Sequence, residues 1–157
     1  VNYNSPQQIV IAGRTEAVSE AGTKLTAAGA RASTLPVSAP FHSSLMEPAE
    51  ARLAKDIMAL ELSDPSVPVY VNVDAEPVTD AAAAKQALIR QVSRPVLWEQ
   101  SVRRMIDDGV SLFVEVGPGR VLCGLLARID KAAGRLSVQG PKDFDAAREA
   151  IGEAKAG

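Results

Sequence analysis

Apolar residues along the chain fall into short runs and helical stripes that alternate. Gln8-Ile9-Val10-Ile11-Ala12 is a β-branched run closed by Gly13, which predicts a buried strand. From Thr15 to about Ala28, the apolar positions Val18, Ala21, Leu25 and Ala28 share one helical face, and Gly29 ends it. Residues 30–35 read as a second strand. Pro36-Val37-Ser38-Ala39-Pro40 cannot be helical inside and predicts an extended connector. Ser44-Leu45-Met46-Glu47 has the form of a capping box, and Met46, Ala49, Leu53, Ile57 and Leu60 then line one face of a long helix. Val67-Pro68-Val69-Tyr70-Val71-Asn72 predicts a strand, with its proline near the start. Thr79 is placed to cap a helix over residues 81–92, which Pro95 stops from extending. A further helix over 98–108 ends at Gly109. A strand over 112–115, a turn Gly117-Pro118-Gly119, a helix over 121–129, a strand over 136–138 and a terminal helix from Asp143 complete the pattern. Strands that alternate with helices predict an α/β protein whose sheet is largely parallel and covered on both faces.

Composition narrows the function. At 157 residues the chain has the length of one domain with a real core. Its 17 Lys and Arg stand against 19 Asp and Glu, which excludes a histone-like nucleic-acid binder. Aromatics at 4% argue against stacking platforms for single strands. A single cysteine, Cys123, excludes an internal disulfide and a cysteine-based zinc site. With one histidine as well, a protein-ligated transition metal has almost nothing to bind, and no metal is expected. No 18-residue apolar window exists and the first residues lack the form of a signal peptide, so a cytoplasmic compartment is the expectation. The chain opens with Val1 inside sequence that reads as structured, which predicts a fragment or processed product. Between Lys85 and Arg135, nine basic and five acidic residues leave a net +4. That face is suited to an acidic or phosphate-bearing partner, and a solvated mixed-charge surface explains it equally well.

No motif read by itself names a chemistry. Gly117-Pro118-Gly119 lacks the third glycine of a dinucleotide loop, because Leu122 stands there, and no G-K-[ST] follows; a structural turn is the better reading. No G-x-S-x-G nucleophile elbow exists; Gly109-Val110-Ser111-Leu112-Phe113 lacks its second glycine. His42 stands at the end of the proline-stiffened connector, just before a helix. Such a junction fixes a side chain's direction, as a general base needs, although a surface or capping histidine has the same spacing.

Five ordered motifs then carry a resemblance. They are Val1-Asn2-Tyr3-Asn4-Ser5-Pro6-Gln7-Gln8-Ile9-Val10-Ile11-Ala12-Gly13, Pro36-Val37-Ser38-Ala39-Pro40-Phe41-His42-Ser43-Ser44-Leu45-Met46, and Val67-Pro68-Val69-Tyr70-Val71-Asn72-Val73-Asp74. Arg90-Gln91-Val92-Ser93-Arg94-Pro95-Val96-Leu97-Trp98 and Glu115-Val116-Gly117-Pro118-Gly119-Arg120-Val121-Leu122 follow. Together they resemble the malonyl-CoA:acyl carrier protein transacylases of bacterial fatty-acid synthesis, over roughly the C-terminal half of that family. The resemblance implies part of an inserted ferredoxin-like small subdomain over residues 1–35. It implies the C-terminal part of an α/β-hydrolase-like large domain over residues 36–157. It implies that His42 is the general base for a serine carried by the missing N-terminal half, and that the Gln91 main-chain carbonyl receives the other ring N–H. Asn2 and Asn4 would line the cleft, and Phe41 would exclude a methyl-branched acyl group. Malonyl-CoA and acyl carrier protein are the implied partners, with no cofactor, no nucleic acid and no membrane. A fragment of a polyketide or fatty-acid synthase acyltransferase domain, or a non-catalytic piece, are the alternatives.

Overall fold

The computed structural model describes residues 1–156. Among these residues, six α-helices, two short 3-10 turns and six strands follow one another as mixed α/β structure. The strands β1 (Asn2–Ser5) and β2 (Gln8–Val10) form an antiparallel hairpin across Pro6 and Gln7. Helix α1 (Thr15–Ala27) follows and buries no residue. A 3-10 turn at Ser44–Met46 leads into α2 (Glu47–Ala59). The strands β3 (Val69–Val71) and β4 (Glu76–Val78) make a second antiparallel hairpin, with Tyr70 opposite Pro77. Helices α3 (Ala81–Arg90) and α4 (Trp98–Asp107) precede β5 (Leu112–Val116). Helix α5 (Val121–Ile129) then crosses to β6 (Gly134–Val138), which pairs parallel with β5, and α6 (Phe144–Ala156) closes the described chain.

The expectation of a largely parallel sheet covered on both faces is corrected. Among the described residues, three two-stranded sheets stand in its place, of which β5–β6 is parallel and the other two are antiparallel. The reason is connection length: a turn of a few residues returns a strand antiparallel, whereas a parallel neighbour needs a crossover such as α5. The strand expected over 30–35 is absent. Those residues are exposed and pair with no described strand, and all but Leu35 are small or polar, so no apolar face holds them to a sheet. β1 and β4, by contrast, were not anticipated.

The core sits between α4, α5 and β5. Val102, Leu126 and Ile129 are buried, with Trp98, Ile106, Phe113 and Ala133 packed around them. Gly134 lets β6 enter close to the preceding segment, since a Cβ there would lie 2.7 Å from the Ser111 carbonyl oxygen. β1 reaches this core from the chain's other end. Tyr3 N–H donates to the Val96 carbonyl at 2.9 Å and Val96 N–H to that of Val1 at 2.8 Å, while Leu97 N–H donates to Asn72 at 2.9 Å. Residues 96 and 97 therefore bridge the first hairpin to the second.

Helix starts also differ from expectation. Ser44 is already inside the 3-10 turn, so the capping box with Glu47 does not form. The extended residue is Ser43, whose hydroxyl instead donates to the Pro40 carbonyl at 2.6 Å. Asp80 rather than Thr79 caps α3, accepting from Ala83 N–H at 2.8 Å.

Candidate active site

His42 adopts φ 59°, a left-handed conformation that histidine tolerates better than bulky or branched residues. The connector before it ends in the Pro40–Ser43 turn, and the 3-10 turn behind it feeds α2 directly. The ring is therefore thrown sideways off the start of α2. It meets the far end of α3: Nδ1 lies 2.8 Å from the Gln91 main-chain oxygen. A carbonyl only accepts, so this bond requires the proton on Nδ1 and leaves the Nε2 lone pair free in the neutral ring. The histidine is half-buried, which leaves the ring partly open to solvent.

That carbonyl is free for a reason written in the sequence. Within a helix, the Gln91 oxygen would accept from the N–H four residues on. Residue 95 is proline and has none. Arg94 N–H turns back to Arg90 at 3.1 Å, so it does not compete. The last carbonyls of a helix also carry the negative end of its dipole. The Gln91 carbonyl holds the proton on Nδ1 and with it the tautomer and the orientation of the ring. It thus does part of the work of the carboxylate in a Ser-His-Asp triad.

Phe41 precedes the ring and is 49% exposed. Asn2 is half-buried in β1 and pairs in parallel with Val96, five residues beyond Gln91. Asn4 is half-buried two residues on, and neither asparagine side chain makes a hydrogen bond among the described residues. His42 and Gln91 are thus in direct contact. The asparagines reach the same region only through the strand that lies beside Val96.

Sequence reasoning missed two arrangements. The buried Ser93 hydroxyl donates to Glu50 of α2, a contact between residues 43 apart with no local signature. Glu115 accepts from the N–H groups of Leu122 at 3.1 Å and Cys123 at 2.8 Å, filling the start of α5 from the neighbouring strand. These backbone bonds, that of Cys123 first, hold the Glu115 carboxyl below the usual carboxylate range. The carboxylate occupies the place an anion would take, which is why Gly117-Pro118-Gly119 acts as a turn. Gly117 N–H donates to Val138 at 3.0 Å and Gly119 N–H to the Gln139 side chain at 3.2 Å. The basic segment is partly neutralised by carboxylates outside it: Arg90 pairs with Asp74, and Arg104 with Glu76. Among the described residues, no group of three or more His, Cys, Asp or Glu is placed to hold a metal ion. No helix among them is long and apolar enough to cross a membrane.

An imidazole held in one tautomer beside a helix end has the geometry of a general base. Residues 1–137 match the family model of the acyl transferase domain, and the chain belongs to that family. Within it, the chain is similar to proteins named malonyl CoA-acyl carrier protein transacylase. The one from Salmonella typhimurium is 52% identical over 130 residues, 82% of this chain and 42% of the relative. An acyl carrier protein S-malonyltransferase structure from Vibrio cholerae superposes with a TM-score of 0.90 at 47% identity, covering 94% of this chain and 48% of that one. A holo complex of a type II PKS acyl-carrier protein with its malonyl-transacylase matches with a TM-score of 0.91 at 43% identity, over 95% and 48%. The chain spans about half the length of the curated relatives it matches.

Proposed function

We propose that this chain supplies the general base of an enzyme that moves a malonyl group from malonyl-CoA to the phosphopantetheine thiol of acyl carrier protein. The observation that carries the reading is the His42 Nδ1 to Gln91 carbonyl bond, which leaves Nε2 as the proton acceptor. The nucleophile is a serine outside these residues, since no G-x-S-x-G occurs within them. His42 Nε2 takes the serine proton as the oxygen attacks the thioester carbonyl. The tetrahedral adduct expels the CoA sulfur, which leaves with that proton, and a malonyl-serine ester remains. The carrier's thiol then gives its proton to Nε2 and attacks the ester, and the serine oxygen recovers a proton as it departs. Serine, imidazole and thiol supply every transfer, so the reaction as written needs no metal or redox cofactor.

In this reading Asn2 and Asn4 line the cleft, and Phe41 fills the space that a 2-methyl branch would need. Residues 1–35 belong to a ferredoxin-like subdomain and 36–157 to an α/β-hydrolase-like one, and the enzyme works in the cytoplasm. A second reading, in which the carrier serves polyketide synthesis, takes its motive from the likeness to the complex with a type II PKS carrier. The test uses the complete protein, incubated with malonyl-CoA and then digested. A malonyl ester on a serine outside residues 1–157, discharged by added acyl carrier protein, is expected. Absence of any malonyl adduct, or an adduct that the carrier cannot discharge, contradicts the proposal.

A further inference from the structure

The bond between His42 and Gln91 joins two elements far apart in sequence, so something must hold them in register. The backbone on the His42 side is an exposed connector that leads through the Pro40–Ser43 turn into the 3-10 turn that starts α2. Met46 N–H closes that turn on Ser43 at 2.9 Å. From there the ring moves with α2. On the other side, the Gln91 oxygen belongs to the last turn of α3, which Pro95 ends. The His42–Gln91 distance is thus set by how the first turn of α2 sits against the last turn of α3.

Among the described residues, one polar contact crosses that junction besides the histidine bond itself. Ser93, two residues beyond Gln91, is 6% exposed, and its hydroxyl donates to the carboxylate of Glu50 in the first turn of α2. The two cross-links run between the same pair of segments: residue 42 to 91, and residue 50 to 93. The opposite end of the helix pair has its own tie, the Lys85 ammonium to the carbonyls of Met58 at 3.3 Å and Leu60. A buried hydroxyl on a carboxylate is costly to leave half-made, because the remaining group loses water and gains nothing. Such a contact specifies one geometry rather than merely adding adhesion.

We infer that Ser93 and Glu50 are positioning residues for the general base. Their hydrogen bond fixes α2 against the end of α3, so that the Gln91 carbonyl holds the His42 ring in its Nδ1–H form and aims Nε2 into the cleft. The inference rests on the proposed role of His42, and it names what sets that residue's geometry.

The complete protein carries the test, with histidine labelled in its ring nitrogens and His42→Ala used to assign the signal. Ser93→Ala is expected to raise the share of the Nε2–H tautomer and lower kcat for malonyl transfer roughly tenfold, with KM for malonyl-CoA within about twofold, as for a lost support behind a catalytic group. Ser93→Thr, which keeps the hydroxyl, restores both readings. Glu50→Gln with Ser93→Ala is no worse than Ser93→Ala alone, because one contact is lost once. Lys85→Met loosens the same helix pair at its other end and lowers Tm without moving the tautomer. Wild-type tautomer populations and kcat in Ser93→Ala overturn the inference. So does an equal tautomer shift in Lys85→Met, which makes the contact general packing. If His42→Ala itself keeps full activity, the proposed function fails, while the nitrogen spectra still report whether Ser93 and Glu50 orient the ring.

Discussion

At the scale of single residues, the backbone explains why some side chains matter and others do not. Gln91 contributes its main-chain oxygen, so Gln91→Ala is expected to leave malonyl transfer within about threefold of wild type, whereas loss of an entire triad-type partner costs far more. A large loss with unchanged circular dichroism shows instead that the amide side chain takes part. Phe41 precedes His42 and is half exposed, and the proposed function places it against the acyl group. Phe41→Ser removes the ring and opens room for one methyl group, which is worth about 10–200-fold in specificity. Competition between malonyl-CoA and methylmalonyl-CoA checks this: the ratio of kcat/KM should shift toward the branched ester. An unchanged ratio, with Tm lowered, assigns Phe41 to packing of the connector. His42 was legible in the sequence as a residue fixed between prolines and a helix. Its partner was legible only through the family resemblance, although Pro95 four residues after Gln91 held the physical reason in plain view.

At the scale of elements, the apolar stripes located the helices, and the local chemistry of their ends was less legible. Asp80 and Thr79 both suit the cap of α3, and only the fold decides that Asp80 adopts the extended conformation. Asp80→Ala should therefore cost about 1 kcal/mol in urea unfolding, and Thr79→Ala close to nothing. β1 was missed because its residues are polar at Asn2, Asn4 and Ser5, and β4 because Pro77 sits inside it. Proline is tolerated there because β4 pairs only with β3 among the described strands. α5 is capped from outside by Glu115, a long-range arrangement that no spacing rule describes. The Glu115 carboxyl is held low by the helix N–H groups, so its contribution is present above the ordinary glutamate value of about 4.3. That contribution is lost as pH falls through the lower folded value. Asp108, held low first by the Tyr70 hydroxyl and then by Arg104, adds to the same acid limb. Unfolding midpoints followed from neutral to acid pH check the sign: Glu115→Gln should flatten the fall, and an unaltered curve contradicts the assignment.

At the scale of the whole molecule, strand and helix alternation gave the α/β class but not the arrangement. Alternation says nothing about connection length, and the turns at Pro6-Gln7 and between Val71 and Glu76 pair β2 and β3 with antiparallel neighbours, β1 and β4, that the apolar pattern does not predict. The site is equally a property of the assembled molecule, since it joins the start of α2, the end of α3 and, through Val96, the first strand. A polypeptide of these 157 residues alone is expected to transfer no malonyl, because the nucleophile motif is not among them; transfer above the no-enzyme rate contradicts that. The most direct measurement of the central claim is single-turnover malonyl transfer by the complete protein carrying His42→Ala. A base whose tautomer is fixed by the Gln91 carbonyl predicts a fall on the order of 10⁴-fold with the fold intact. A loss under about tenfold contradicts the account and makes His42 a structural residue.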